Sequence, residues 1–142
     1  MSFGVKPLER GGAAVILHRN GRVLLQKRTS DAPRWPSMWA VFGGNFYSDE
    51  SPEDAAVREV EEELGISLCV DSIEFVCKIA VHVGDRTGYA HYFAAPLTVP
   101  LKEIRLQEGG GFALFESKEL EGLSLIPHAR EALEHFFKQL VP

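Results

Sequence analysis

The sequence has little of what marks secreted, cross-linked or membrane proteins. Its only two cysteines, Cys69 and Cys77, form neither a CxxC motif nor a disulfide framework. No apolar run approaches the roughly 20 residues that cross a bilayer, and residues 1–12 lack the apolar centre of a signal peptide. We therefore expect a cytoplasmic location, no membrane contact and reduced thiols that pack as small apolar side chains.

Positive charge is also scarce. The formal net charge is −5, from 15 Lys and Arg against 20 Asp and Glu. A polynucleotide partner is therefore not expected, although a few local cations or metal ions can still hold a small nucleotide. The chain has 142 residues and shows no repeat, low-complexity tract or linker, so we predict one domain over residues 1–142.

Apolar patterning and turn residues predict alternating strands and helices. The dipeptide Asn20-Gly21 is a strong hairpin signal between two apolar runs. The predicted strands cover residues 12–19, 22–28, 40–44, 73–83, 89–97 and 110–116. The first predicted helix lies between residues 51 and 65, and the second covers residues 127–140. Residues 117–120 are compatible with one helical turn. This order predicts an α/β fold with a mixed β-sheet held between helices.

The first helix has recognisable ends and an apolar stripe. Ser51 is a favourable N-cap, Pro52 suits the first helical position, and Gly65 suits a left-handed C-terminal cap. Three apolar residues recur at four-residue spacing and predict the buried face, namely Ala56, Val60 and Leu64. The apolar face predicted for the last helix consists of Ala132, Leu133, Phe136, Phe137 and Leu140.

The first helix also concentrates negative charge. Glu59, Glu62 and Glu63 fall at i, i+3 and i+4 and share one face, and Arg58 is the only basic residue between positions 34 and 78. Most charge runs are solvated helix faces, and charge alone leaves that interpretation open. The missing lysines and the preceding Gly-Gly pair, which exposes carbonyl oxygens, instead favour a site for a hard divalent cation such as Mg²⁺.

Residues 44–66 match the pattern G-x5-E-x7-R-E-U-x-E-E-x-G-U, in which U is a bulky aliphatic residue. Every fixed position is present: Gly44, Glu50, Arg58, Glu59, Val60, Glu62, Glu63, Gly65 and Ile66. The chain therefore resembles the Nudix hydrolases. The resemblance implies a Nudix-type α/β/α sandwich and an enzyme that hydrolyses a pyrophosphate bond in a nucleoside diphosphate linked to another moiety.

The resemblance also implies roles for the acidic helix. The metal ligands would be the side chains of Glu59, Glu62 and Glu63 together with the carbonyl of Gly43, with Mg²⁺ or Mn²⁺ as the cation. Arg58 would hold Glu59 in place through a bidentate contact. Glu59 is then a candidate catalytic residue as well as a ligand.

The general base stays open between Glu59 and Glu108. Glu108 precedes three glycines, where a loop could bring it to the metal as a ligand or a base, but a charged residue beside glycines is also ordinary loop composition. Glu103 is a weaker candidate. The remaining motif positions would support the shape of the site, namely Gly44, Glu50 and Gly65.

Aromatic side chains crowd the approach to the motif and could stack on a nucleobase. Candidate substrate-binding residues are Trp35, Trp39, Phe46 and Tyr47, with Arg34 as a partner for phosphate. Aromatic residues in a domain of this size are more often part of the core, so both interpretations stand.

These features give one leading hypothesis and two alternatives. The leading one is Mg²⁺-dependent hydrolysis of a nucleoside triphosphate or an oxidised nucleoside triphosphate, by attack of water on phosphorus. The first alternative is a nucleotide-sugar or other NDP-X hydrolase. The second is a Nudix-fold module that senses a nucleotide without cleaving it. Small proteins of this family are often dimers, so the resemblance also admits a homodimer.

Overall fold

Seven strands and two helices are present in the computed structural model, which describes residues 11–47, 49–83, 85–107 and 109–140. In chain order they are β1 (Gly11–Arg19), β2 (Arg22–Lys27), β3 (Trp39–Ala40), β4 (Phe42–Asn45), α1 (Pro52–Leu64), β5 (Glu74–Val83), β6 (Arg86–Pro96), β7 (Phe112–Glu116) and α2 (Pro127–Leu140). Short 3₁₀ turns cover residues 70–72, 101–103 and 117–122. Neither α1 nor α2 is long and apolar enough to cross a membrane.

Strand β1 is the centre of a mixed sheet. The strands pair in the order β3-β2-β1-β6-β5, and β7 also pairs with β2. Strands β1 and β6 run parallel along residues 11–18 and 89–96, whereas the other pairings are antiparallel. The other edge of β1 is divided, because residues 12–15 pair with β4 and residues 18 and 19 pair with β2. The predicted mixed sheet is confirmed.

The sheet buries a core on both faces because successive strand side chains point in opposite directions. In β1, Val15 and Leu17 pack with the α1 side of the core, and Ile16 packs with the α2 side. The residues that α1 buries are Ala55, Ala56, Val60 and Leu64. Those that α2 buries are Ala129, Ala132, Leu133 and Phe136. Each fully buried large aliphatic side chain contributes about 1.5–3 kcal/mol, so the two helices are fixed to opposite faces of the sheet.

Helix α1 begins and ends where its capping residues predict. The Ser51 Oγ accepts a hydrogen bond from the backbone N–H of Asp54 at 3.1 Å, and Pro52 is the first helical residue. Gly65 adopts the left-handed conformation with φ of 71° and donates its N–H to the Glu61 carbonyl at 2.9 Å. The acidic residues are therefore held on a helix with defined ends.

Some predicted boundaries were wrong. The single strand expected at residues 40–44 is divided at Val41, where the chain leaves β2 as its partner and joins β1. Strand β6 begins at residue 86, inside the stretch expected to be a turn. Leu140 is 48% exposed, because it is the last residue of α2 and does not pack on the core. Cys77 is buried as expected, but Cys69 is exposed beside the turn at residues 70–72.

Candidate catalytic and metal site

Arg58 joins the carboxylates of the acidic motif into one network. Its Nε and Nη2 donate to the two carboxylate oxygens of Glu50 at 2.6 and 2.9 Å. Its Nη1 donates to Glu59 Oε1 at 2.9 Å and to Glu62 Oε2 at 2.8 Å. Arg58 contacts Glu59 as predicted, but the carboxylate that it holds through two donors is that of Glu50. Glu50 in the preceding loop faces the guanidinium group and accepts from Nε and Nη2, whereas Glu59, the next residue along the helix and turned by about 100°, accepts from Nη1.

The same network fastens the loop between β4 and α1. Arg58 Nη2 also donates to the backbone carbonyl of Asn45 at 3.0 Å, and Glu50 Oε1 accepts the backbone N–H of Tyr47 at 2.8 Å. The guanidinium carbon of Arg58 lies 3.6 Å from the centre of the Tyr47 ring, within the range of a cation–π contact. The hydrogen bonds from Arg58 lower the pKa of Glu50, and Glu50 in turn raises the pKa of Arg58. The contact therefore favours the charged form of both partners.

The two glycines before the loop make room for different neighbours. A methyl group on Gly44 would stand 2.5 Å from the carboxylate carbon of Glu59. A methyl group on Gly43 would instead stand 2.6 Å from both the Cα and the Cβ of Ala14 on β1. Gly44 thus provides a cradle in which the Glu59 carboxylate lies against the strand, and Gly43 lets β4 approach β1.

The donor set of this region fits a hard divalent cation. Glu59, Glu62 and Glu63 supply carboxylate oxygens from neighbouring positions of α1, and the missing side chain of Gly44 on β4 leaves room for the first of them. Among the described residues, no three His, Cys, Asp or Glu side chains are already gathered around one point. Glu59 and Glu62 both contact Arg58 Nη1 instead. Metal binding therefore requires the Glu62 side chain, which is 48% exposed, to rotate away from Arg58 while the helix stays fixed.

Glu108, predicted as a metal ligand or general base, lies outside the described residues. The segment that leads to it is described and runs along the end of α1. Arg105 donates its backbone N–H to the Leu64 carbonyl at 3.1 Å, and Gln107 donates its backbone N–H to the Glu63 carbonyl at 2.9 Å. The weaker candidate Glu103 is exposed in the turn at residues 101–103.

A cavity of about 530 Å³ lies beside the motif on the α2 side of the sheet. Its lining includes Gly43 and Gly44, which connect it to the acidic motif, and two of the predicted substrate-binding residues, Arg34 and Trp35. This volume falls within the range of about 300–1,000 Å³ that is usual for small-molecule sites.

Three other predicted substrate-binding residues are not part of that lining. Trp39 packs edge-on against Phe115 with ring centres 4.9 Å apart, which makes it a core contact. Phe46 packs on His91 with ring centres 5.4 Å apart, and Tyr47 covers Arg58. Their position near the motif in sequence reflects support of the fold and of the loop rather than a place in the cavity.

Among the polar residues of the cavity that sequence reasoning missed are Gln26, Tyr92 and His128. Tyr92 on β6 and His128 at the start of α2 both line it, and the Tyr92 hydroxyl lies 2.7 Å from His128 Nδ1. Gln26 lines it as well and is only 6% exposed. Gln26 follows the apolar run of residues 23–25 and precedes Lys27, so it resembles an ordinary polar strand end, and nothing in the sequence indicates that Tyr92 and His128 meet.

Comparison with known proteins identifies the family. The sequence matches the NUDIX domain family over residues 8–138. The chain belongs to this family. It is 32% identical to an uncharacterised Nudix hydrolase of Listeria monocytogenes over 86% of this chain and 70% of that protein. It is 35% identical to the CTP pyrophosphohydrolase of Escherichia coli over 58% of this chain and 59% of that one.

A solved structure supports the same assignment for this Nudix domain. The crystal structure of a MutT NUDIX hydrolase from Burkholderia pseudomallei superposes with a TM-score of 0.76, at 30% identity, over 89% of this chain and 96% of that one. The predicted family, the α/β/α sandwich and the enzyme class are confirmed. The chain is a Nudix hydrolase, a member of a family of pyrophosphohydrolases.

Proposed function

We propose that this Nudix hydrolase cleaves a nucleoside triphosphate, ordinary or oxidised, in a reaction that depends on Mg²⁺ or Mn²⁺. The observation that carries the proposal is the position of Gly44, which lines the cavity and also borders the Glu59 carboxylate of α1. A nucleotide in the cavity would then have its phosphates beside the acidic motif. The likeness to a CTP pyrophosphohydrolase supports a triphosphate over a nucleotide sugar.

The acidic side chains would hold the metal, and the metal would make the phosphates accessible. Glu59, Glu62, Glu63 and the Gly43 carbonyl are the proposed ligands, with Glu108 as a further one. When bound, a divalent cation neutralises the phosphate oxygens and lowers the pKa of an attached water. Water attacks one phosphorus, the bridging P–O bond breaks, and the leaving phosphate or pyrophosphate departs with the electron pair of that bond.

The side chains around the metal have separate tasks in this proposal. Arg58 holds the loop through Glu50 and sets the direction of Glu59 and Glu62 by hydrogen bonds from Nη1. Glu59 or Glu108 accepts the proton of the attacking water. Glu59 is already oriented by the Gly44 cradle and by Arg58, which supports its role as a base as well as a ligand.

The test is a turnover assay with a panel of nucleoside triphosphates, oxidised triphosphates and nucleotide sugars, in Mg²⁺, Mn²⁺ or EDTA. We expect metal-dependent release of pyrophosphate or phosphate from the triphosphates. Glu63→Gln and Glu62→Gln should lower kcat by about 100-fold or more with an unchanged melting temperature, since removing one of several clustered like charges does not weaken the helix.

Glu61→Gln is the matched control on the same helix. Glu61 is exposed and accepts a hydrogen bond from Ser67 Oγ at 3.1 Å, away from Arg58. Near wild-type turnover in Glu63→Gln at saturating Mg²⁺ would refute the ligand assignment. Metal-dependent nucleotide binding without any turnover would instead make the protein a sensor, and preferential turnover of nucleotide sugars would replace the proposed substrate class.

A further inference from the structure

We propose that Tyr92 and His128 form a recognition pair that selects the nucleobase of the substrate. The inference rests on the proposed function, because it requires that a nucleotide occupy the cavity. The two side chains come from different layers of the sandwich, β6 and α2, and meet at 2.7 Å in the cavity lining. The hydrogen-bond partners of Arg58 described above do not include either residue, so the pair is separate from the hydrolytic residues.

The pair is fixed in position by packing. Tyr92 is 3% exposed, belongs to the core on the α2 side and aligns with Ala14 of β1 in the parallel pairing. His128 follows Pro127 in the first turn of α2, and the neighbouring Ala129 is 1% exposed. Because both backbones are anchored on rigid elements, the polar atoms are held in place before a ligand arrives.

Both members of the pair are uncharged at neutral pH. Burial lowers the pKa of His128, and the nearby positive charge of Arg34 lowers it further. Burial raises the pKa of Tyr92, which keeps its phenol protonated. An uncharged pair is suited to reading the polar edge of a neutral base, and it offers no charge to a phosphate.

The hydrogen-bonding capacity of the pair follows from its two arrangements. If the Tyr92 hydroxyl donates to Nδ1, then His128 Nε2–H is the remaining donor and the phenol oxygen is the remaining acceptor. If Nδ1–H donates to the phenol oxygen, then Nε2 is the acceptor and the hydroxyl is the donor. Either way one donor and one acceptor remain, which matches the adjacent donor and acceptor groups on the edge of a nucleobase.

Other residues of the lining complete a base site. Trp35 is half-buried and lines the same cavity, where its ring offers a surface for stacking. Ile126 and Ala129 add apolar wall, and both are at most 5% exposed. In an apolar surrounding, a base that cannot match the pair leaves buried polar groups unpaired, and this penalty is what gives strong discrimination.

The experiment compares Tyr92→Phe and His128→Gln with the matched control His135→Gln, which changes an exposed histidine on the same helix. The first readout is kcat/KM for each nucleoside triphosphate and for methyl triphosphate, which has no base. We expect the preferred nucleotide to lose about tenfold or more, mainly through KM, while the poorest nucleotide and methyl triphosphate stay within about twofold. The control should keep the full wild-type preference.

The second readout is equilibrium binding of the four nucleoside monophosphates in EDTA, which needs neither metal nor catalysis. Selective binding by the wild type that disappears in Tyr92→Phe supports the proposal. An unchanged order of nucleotide preference in both variants overturns the proposal. An equal loss of kcat/KM with every substrate, together with a lower melting temperature, also overturns it, because that result indicates a structural contact. If no compound is turned over, the hydrolase proposal fails, and the binding measurement still decides the role of the pair.

Discussion

Replacing Gly44 by alanine should disable the site while leaving the fold in place. The added methyl group would stand 2.5 Å from the carboxylate carbon of Glu59 and 2.6 Å from both of its oxygens. These atoms are the far end of a flexible side chain, so we expect the carboxylate to swing away while β4 keeps its backbone. The movement breaks the 2.9 Å hydrogen bond from Arg58 Nη1 to Glu59 Oε1.

The expected effects on stability and on activity are very different in size. Forcing the side chain off its present rotamer costs about 0.5–1.5 kcal/mol. Replacing glycine by alanine recovers about 0.4–1 kcal/mol through the unfolded chain. The net change in the free energy of unfolding should therefore stay within about 1 kcal/mol. Misplacing a catalytic group by about 1 Å costs on the order of 100-fold in rate, and we expect a loss of kcat at least that large.

Gly43→Ala is the contrasting variant. Its methyl group would meet the Cα and Cβ of Ala14 at 2.6 Å, and the backbone of a central strand cannot move aside. We expect a loss of about 1–3 kcal/mol or more in unfolding free energy, measured by urea denaturation. Near wild-type turnover in Gly44→Ala would show that the position of Glu59 is unimportant. Equal destabilisation by both variants would show that the cradle is ordinary strand packing.

Two further predictions concern the charged groups. Arg58→Lys keeps the positive charge but loses the planar guanidinium group that reaches Glu50, Glu59 and Glu62 together. We expect kcat to fall about 10–100-fold in steady-state assays. Unchanged kinetics would mean that the positive charge alone is sufficient. The second concerns stability against pH. Burial lowers the pKa of His18 below its ordinary 6.5, and the negative charge of Glu74 opposes this shift. The stability that depends on neutral His18 is therefore complete above pH 6.5 and is lost as the pH falls through the folded-state pKa. Urea midpoints at about pH 7.5 and pH 5 should therefore differ more in the wild type than in His18→Leu, and equal differences would contradict the assignment.

Features that depend on neighbouring residues were predictable from the sequence. The ends of α1 follow from Ser51, Pro52 and Gly65, because a capping hydrogen bond or a left-handed residue acts within a few positions. The hairpin at residues 20 and 21 follows for the same reason, with positive φ values of 51° and 77°. The acidic face of α1 also follows from helical spacing, which placed the proposed metal ligands side by side.

Features that depend on the path of the chain through space were not predictable in this way. Trp35 and Trp39 are four positions apart in one aromatic segment, yet Trp35 lines the cavity and Trp39 packs on Phe115. Tyr92 and His128 are 36 positions apart and meet only because α2 packs across the sheet. The choice of Glu50 as the bidentate partner of Arg58 likewise depends on how the loop returns to the helix.

The parallel pairing of β1 with β6 sets the order in which the protein can assemble. Residues 11–18 pair with residues 89–96, so the central strand lacks its neighbour until most of the chain is present. The 13-residue helix α1 is made in between, and an isolated helix of that length is marginal in water. Contacts between such distant segments are formed slowly, typically in milliseconds to seconds. Helix α1 packs on β1 and β4, which precede it in the chain, but β1 gains its second neighbour in the sheet only from a strand that is made after the helix.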